Sequence, residues 1–222
     1  MADPINLKEN FQEVNVQLQE GVLLVAVSKT KPNSLILEAY NLGYRDFGEN
    51  KVQDLAAKAE VLPADIHWHF IGHLQTNKVK YIAPFVHLIH SIDSLKLLKE
   101  VQKRAASNDR RISVLLQGAI SEEDTKFGWD LTELSAFLKN EEWREHPNVE
   151  VIGLMGMASN TSDTELVKRE FKNLSNFRDE HRSTDLPLKE LSMGMSGDFK
   201  LAMGEGSTMV RIGSSLFGVR NY

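Results

Sequence analysis

Eight short runs rich in apolar and β-branched residues recur along the chain, and stretches with the period of an amphipathic helix lie between them. Strands that alternate with helices predict parallel pairing with right-handed crossovers. Eight such units in 222 residues favour a closed (β/α)8 TIM-type barrel over the alternative, an open doubly wound sheet. The predicted strands are 23–29, 46–50, 67–72, 86–92, 112–118, 149–156, 189–194 and 209–218.

Helices are predicted between these strands, with an extra polar helix over 4–20 ahead of the first strand. Ser94 and Asp163 are residue types that cap helix N-termini, and Gly43 is a typical C-terminal stop. No Pro/Gly/Ser-rich linker divides the chain, so we expect one domain over 1–222. The helices between strands are predicted at 34–43, 51–61, 77–83, 94–106, 131–141, 163–181 and 198–203.

The charge balance argues against a polyanion-binding protein. The chain has 31 acidic and 26 basic residues and a net charge of -5, whereas nucleic-acid modules usually carry a basic excess. Its N-terminus lacks the basic start and apolar run of a signal peptide, and no apolar stretch approaches the roughly 18 residues of a membrane span. The absence of cysteine fits a reducing compartment. We therefore expect a cytoplasmic monomer that binds neither nucleic acid nor membrane.

Lys29 directly follows the apolar run LLVAV and so sits where the first strand should end. In either architecture the carboxyl ends of parallel strands form one rim, where sites are built. A lysine there can form a Schiff base once partial burial lowers its pKa. The alternative is a lysine that extends to solvent or pairs with an acid such as Glu49. The position alone does not decide between them.

Small residues cluster twice near the C-terminus, in SMGMSGD (192–198) and in GST and RIGSS around the last strand. Glycine and serine let backbone N–H groups approach an anion closely, and barrels commonly hold a phosphate after strands seven and eight. In a closed barrel this region would neighbour Lys29 on strand one. A reactive amine beside a phosphate site suggests either pyridoxal 5'-phosphate (PLP) or a sugar-phosphate Schiff-base aldolase.

Seven segments that span 26–218 narrow this choice, namely AVSKTKP, FGENKVQ, WHFIGHLQTNK, HSIDS, GLMGMAS, SMGMSGDF and GSTMVRIGSSLFG. Together they resemble the pyridoxal phosphate homeostasis protein family, whose single barrel is similar to the N-terminal domain of alanine racemase, a fold-type III PLP barrel. The resemblance implies PLP as the cofactor. The cofactor-binding residues that it implies, some less directly than others, are Lys29, Asn50, Met157, Ser196, Ser207, Thr208, Arg211, Gly213 and Ser214.

The resemblance also implies a role for several of these residues. Lys29 would hold PLP as an internal aldimine, and Arg211 would face the pyridine nitrogen. A permanently charged arginine keeps that nitrogen unprotonated and weakens the electron sink. Ser196 would bind the phosphate together with the backbone N–H groups of Gly213 and Ser214. Ser207, Thr208 and Asn50 have weaker support.

Two departures from alanine racemase bear on activity. The racemase draws a second base, a tyrosine, from a C-terminal β-domain, whereas this chain stops at Tyr222 just after the eighth strand. Where the racemase stacks a histidine on the cofactor, this chain has Met157, which cannot relay a proton. We therefore expect a PLP carrier of vitamin B6 homeostasis that serves PLP-dependent apo-enzymes. The alternative is a slow PLP-dependent amino-acid racemase.

HWHFIGH raises the question of zinc, because His67 and His69 share one face of a strand and His73 follows. The strand itself offers no clear carboxylate partner, and catalytic zinc needs three converging ligands with an open position. We therefore expect no metal. In EEDTKFGW (122–129), Lys126 and Gly128 resemble a family pattern, and Lys126 is expected only to shape the mouth of the pocket.

Overall fold

The computed structural model describes residues 6–121 and 127–218. Eight parallel strands form a closed barrel in chain order, and the eighth strand pairs with the first to complete it. The barrel predicted from the sequence is thus confirmed, and the open doubly wound sheet is wrong. The strands are β1 Leu23–Val27, β2 Asp46–Glu49, β3 His67–Phe70, β4 Leu88–Ile92, β5 Ile112–Gln117, β6 Val149–Met155, β7 Glu190–Met195 and β8 Met209–Ile212.

Helices connect the strands and cover the outside of the barrel. As predicted, Ser94 caps the helix that begins at Leu95 by accepting from Leu97 N, and Asp163 caps the helix that begins at Thr164 by accepting from two backbone N–H groups. The α-helices of the described residues are α1 Leu7–Asn15, α2 Asn33–Asn41, α3 Val52–Val61, α4 Val79–Ile82, α5 Leu95–Ser107, α6 Leu131–Lys139, α7 Thr164–His181, α8 Phe199–Gly204 and α9 Ser214–Phe217.

The predicted last strand, 209–218, is too long. The strand ends at Ile212, the chain turns at Gly213, and residues Ser214–Phe217 form α9. The serine pair after the glycine favours this turn, since glycine and serine break strands readily. The N-terminal helix, Leu7–Asn15, is also shorter than the predicted 4–20. The first two residues of that predicted range lie outside the described part of the chain.

Two layers of side chains stabilise the barrel. The larger core lies between the strands and the surrounding helices, and a smaller apolar cluster fills part of the barrel interior. The interior cluster consists of Val25, Leu88, Leu115, Met155 and Met209. Polar side chains occupy much of the remaining interior and lead toward the carboxyl rim. Among the described helices, none has the length and apolar character needed to cross a membrane.

Candidate functional site

A cavity of about 700 Å³ opens at the carboxyl ends of the strands. This volume lies within the range of roughly 300–1,000 Å³ typical of small-molecule sites. It brings together seven of the nine residues predicted from the sequence, which are Lys29, Asn50, Met157, Ser196, Arg211, Gly213 and Ser214. The other lining residues are Val27, Lys31, Ile71, Gly72, His73, Phe127, Met195, Gly197 and Gly218.

Lys29 enters this cavity from a tight turn after β1. Ser28 N donates to Gly48 O on strand β2 at 3.0 Å, and Lys31 N closes the turn by donating to Ser28 O at 3.0 Å. Between them Thr30 has a φ of 66°, a left-handed conformation that costs a β-branched residue about 1–2 kcal/mol. The surrounding hydrogen bonds hold the backbone in this turn and so fix the origin of the Lys29 side chain.

A buried polar cluster supports the turn from the outside of the barrel. The Glu49 carboxylate accepts from Ser28 Oγ and from Lys58 Nζ, both at 2.6 Å, and Lys58 Nζ also donates to Ser28 O at 3.0 Å. Glu49 is fully buried and Lys58 is 8% exposed. The sequence had left Glu49 as a possible partner of Lys29. Instead, one oxygen of Glu49 binds Ser28 and Lys58, which ties α3 to the end of β1.

Arg211 forms part of the cavity wall from strand β8, directly beside β1 in the sheet. Its guanidinium donates to Ser192 O at 2.8 Å, to Ser192 Oγ at 2.6 Å and to Gly156 O at 3.2 Å. Burial lowers the pKa of Arg211 to about 10, and the Asp198 carboxylate partly offsets that effect. The side chain therefore carries its charge at neutral pH in a fixed orientation.

Ser192 continues a chain of hydrogen bonds through the barrel interior, which we call the interior relay. Its Oγ lies 3.0 Å from His90 Nδ1, His90 Nε2 lies 2.9 Å from His69 Nδ1, and His69 Nε2 lies 3.0 Å from Asp46 Oδ1. Asp46 begins strand β2, so the relay runs from Arg211 at the cavity to the opposite, amino-terminal mouth of the barrel.

The two ends of the interior relay fix the direction of its hydrogen bonds. A guanidinium can only donate and an ionised carboxylate can only accept. Burial lowers the pKa of both His69 and His90, so each imidazole is neutral with one N–H and one acceptor nitrogen. Ser192 Oγ then donates to His90, His90 Nε2 donates to His69, and His69 Nε2 donates to Asp46. Each hydrogen bond orients the next side chain, so the series that begins at Asp46 holds Arg211 in position at its other end.

Replacing Ser192 with alanine should therefore destabilise the fold, because it removes a partner from two fully or nearly buried groups, His90 and Arg211. We expect the free energy of unfolding to fall by about 1–3 kcal/mol, as for a buried polar group left unsatisfied. Urea denaturation measures this. Ser113→Ala on strand β5 is the matched control, since the Ser113 hydroxyl makes one long bond of 3.4 Å to Glu150. Equal effects of the two substitutions would contradict the relay.

The predicted phosphate residues meet at the end of β7 and β8. Gly213 N donates to Ser196 Oγ at 3.3 Å, and Ser214 follows as the first residue of α9. Across the cavity, Asn50 and Gly72 pack closely. A Cβ atom on Gly72 would lie only 2.2 Å from the Asn50 carbonyl oxygen, so this close approach requires glycine.

Ser207 and Thr208 do not line the cavity, which corrects their inclusion among the candidate residues. Both precede β8 and therefore lie at the opposite end of the barrel from Gly213. Ser207 Oγ contacts Leu191 O at 3.1 Å and Met193 O at 2.8 Å, and Thr208 Oγ1 donates to Glu190 at 2.8 Å. Their hydroxyls form hydrogen bonds that connect the start of β8 to β7.

Sequence reasoning missed several residues of the cavity wall. His73 stacks on Phe127 with ring centroids 3.9 Å apart, and its Nδ1 lies 3.0 Å from Asp93 Oδ2. Lys31 Nζ donates to Phe217 O at 2.7 Å, which ties the Lys29 turn to the end of α9. Its place just after the carboxyl end of β3 was the sequence feature that could have identified His73 as a cavity residue. Lys126 lies outside the described residues.

The comparisons with known proteins agree with this geometry. The sequence model of the family described as alanine racemase, N-terminal domain, matches residues 3–221. A pyridoxal phosphate homeostasis protein of Aquifex aeolicus is 45% identical over 201 residues, which cover 90% of this chain and 87% of the relative. The human protein of that name is 40% identical over 212 residues, covering 90% of this chain and 77% of the human one. The chain belongs to the pyridoxal phosphate homeostasis protein family.

Solved structures extend the comparison to the fold of this family. PipY of Synechococcus elongatus without PLP matches with a TM-score of 0.91 and 37% identity, and its PLP-bound form with 0.86 and 35%. Each match covers 96% of this chain and 100% of PipY. Alanine racemase from Bartonella henselae, at 18% identity and a TM-score of 0.73 over 96% of this chain and 58% of its own, shares the fold alone. The family's barrel is thus of PLP fold type III.

Proposed function

We propose that this protein binds PLP in the carboxyl-rim cavity, attached covalently to Lys29, and acts as a PLP carrier of vitamin B6 homeostasis. The observation that carries the proposal is the convergence of Lys29, Arg211 and Ser196 on one cavity from three consecutive strands of the closed barrel, β7, β8 and β1. The names of the relatives and the PLP-bound PipY structure support the same ligand.

The chemistry of the cavity fits an anionic aromatic aldehyde. Lys29 supplies the amine that such an aldehyde needs, and Ser196 with the backbone N–H groups of Gly213 and Ser214 supplies phosphate donors. Apolar side chains such as Val27, Ile71 and Met157 give flat, soft walls suited to a ring. The residues present therefore fit PLP.

Arg211 and Met157 favour storage over turnover. Bound PLP supplies an electron sink for carbanions at the Cα of amino acids. Arg211 carries a positive charge in a fixed place and keeps its protons at neutral pH, so it disfavours protonation of a ring nitrogen beside it. Met157 offers a thioether, which holds a ring but moves no proton. Both residues retain PLP without promoting its chemistry.

The proposal extends to the setting of the protein. We place it in the cytoplasm as a monomer of one domain over 1–222 that passes PLP to PLP-dependent apo-enzymes. The acidic net charge and the absence of cysteine support this setting. Light scattering at several protein concentrations tests the monomeric state. Delivery is tested by comparing the rate of PLP transfer to an apo-enzyme in direct mixing with the rate across a dialysis membrane.

Purified protein incubated with PLP and dialysed extensively should retain one equivalent of cofactor. Retention is measured by visible absorbance and by mass spectrometry after borohydride reduction, which fixes the cofactor to an amine. Pyridoxal, which lacks the phosphate, is the matched control and should be retained less. Failure to retain PLP would overturn the proposed function.

A second candidate function, slow amino-acid racemisation, is favoured by one observation. His73 lines the cavity and pairs with Asp93 at 3.0 Å, an arrangement that can orient an imidazole as a base. With alanine in D₂O, even a slow racemase would exchange the Cα hydrogen faster than free PLP does, up to the ordinary enzyme rates of about 1–1,000 per second. The carrier predicts exchange no faster than that with free PLP, and faster exchange that is lost in His73→Ala would establish the second function instead.

A further inference from the structure

We propose that the amino-terminal mouth of the barrel holds a divalent transition-metal site formed by Asp46, His69 and His87, with zinc as the ion that it suits. These residues lie at the end of the barrel opposite the PLP cavity, where β2, β3 and β4 begin. From the sequence we expected no zinc, because the strand that carries His67 and His69 offers no carboxylate. The structure supplies one from the neighbouring strand, since Asp46 pairs directly with His67 in the sheet register.

The ligand atoms already converge. One atom from each of Asp46, His69 and His87 lies within 4.8 Å of the other two. Asp46 Oδ1 is 3.0 Å from His69 Nε2, close to the separation of about 3.3 Å between two ligand atoms of a tetrahedral zinc ion. To bind one ion, the ligand-atom separations that involve His87, at most 4.8 Å, need only shorten to about this value.

His67 braces the site from the side. Its Nδ1 lies 3.2 Å from Asp46 Oδ1, and its ring stacks on His87 with centroids 4.5 Å apart. His67 thus restrains both the carboxylate and the more exposed imidazole. His67 lies outside the converging group of three, and the described residues offer no fourth ligand, so the fourth coordination position is open to solvent, as in open zinc sites.

The protonation states suit metal binding at neutral pH. Burial lowers the pKa of His69, and burial with neighbouring imidazoles lowers the pKa of His87 to about 4, so both rings are neutral. Contacts with His69 and His67 lower the pKa of Asp46 despite its partial burial, so the carboxylate is ionised. Neutral imidazole and ionised carboxylate are the forms that bind metals.

The interior relay supplies the outer hydrogen bonds that metal-binding histidines usually have. An ion on His69 Nε2 requires the proton of that ring on Nδ1, where it donates to His90 Nε2. His90 then carries its own proton on Nδ1 and donates to Ser192 Oγ, whose hydroxyl proton turns away from His90. Each ring keeps one proton, so the proton count is unchanged while the direction of these hydrogen bonds reverses.

The donor set decides the class of ion. Two imidazoles and one carboxylate suit zinc and its first-row neighbours, whereas magnesium and calcium prefer oxygen ligands throughout. The site therefore predicts binding of Zn²⁺ and weak or no binding of Mg²⁺ at the same concentration.

Isothermal titration calorimetry of the full chain with Zn²⁺, after dialysis against a chelator, should show one equivalent of Zn²⁺ bound per chain. His87→Ala removes a ligand at the surface and should lower the affinity by about 10–100-fold or more, the range seen even for outer-shell changes. Asp46→Asn, a second variant at the same mouth, should do likewise. His181→Ala, on helix α7 and bonded to Ser135, is the matched control and should bind as the unaltered chain does.

Three results would overturn the site: no Zn²⁺ binding by the unaltered chain, equal binding of Mg²⁺, or Zn²⁺ binding unaffected in both His87→Ala and Asp46→Asn. Circular dichroism of each variant separates loss of the site from loss of the fold. A nuclear magnetic resonance spectrum of the imidazole nitrogens gives an independent readout, because Zn²⁺ should move the His69 proton from Nε2 to Nδ1.

Discussion

Lys29→Ala should abolish covalent retention of PLP, the largest effect on binding that we expect from any single substitution in this chain. In the proposed function the amine of Lys29 is the nucleophile that joins the cofactor to the protein, and alanine at this position offers no amine in its place. After incubation with PLP and borohydride reduction, the unaltered chain should carry the cofactor mass on the peptide containing Lys29. The variant should carry none there, and its visible absorbance after dialysis should return to that of the apo-protein.

Lys31→Ala is the control that makes this experiment specific. Lys31 lines the same cavity two residues away, but its amine donates to Phe217 O and Gly218 O at 2.7 and 3.0 Å. We expect Lys31→Ala to keep the covalent label on Lys29. A label that survives in Lys29→Ala, or that maps to Lys31, would show that the wrong lysine had been assigned.

The part of the cavity formed by β7, β8 and β1 could be predicted because these elements are neighbours in the barrel. Lys29, Arg211 and Ser196 lie near the carboxyl ends of β1, β8 and β7, and a closed barrel places these three strands side by side. Periodicity located the strands, and closure followed from their number. The residues adjacent to the strand ends were therefore predictable as one site, and their family roles came from the resemblance.

The interior relay and the group of Asp46, His69 and His87 could not be predicted in the same way. His90 and Ser192 are 102 positions apart in the chain and meet only because both face the barrel axis. Strand register and the irregular pairing within β4–β5 and β7–β8 set which side chains face inward, and no local pattern encodes either. The prediction for Ser207 and Thr208 failed for a related reason, since a residue before a strand lies at the other end of the barrel.

Lys58→Met should produce the largest loss of stability. It removes the partner of the Glu49 carboxylate, whose Oε1 lies 2.6 Å from Lys58 Nζ and whose Oε2 has no hydrogen-bond partner among the described residues. A fully buried carboxylate without its cation costs about 3–5 kcal/mol. Urea denaturation followed by circular dichroism measures the loss. PLP retention should fall as well, because Lys58 also fixes the carbonyl of Ser28, next to Lys29.

Two further variants identify the origin of this loss. The double variant Lys58→Met with Glu49→Leu removes both charges and should recover a large part of the stability, since apolar replacement of a buried ion pair is often neutral or better. It should not recover full PLP retention, because the Ser28 carbonyl still lacks its donor. Lys168→Met breaks the exposed pair with Glu165, at 2.8 Å, and should leave the denaturation midpoint nearly unchanged. If the double variant were as unstable as Lys58→Met alone, the uncompensated Glu49 charge would not be the cause, and lost packing around the Lys58 side chain would explain the effect instead.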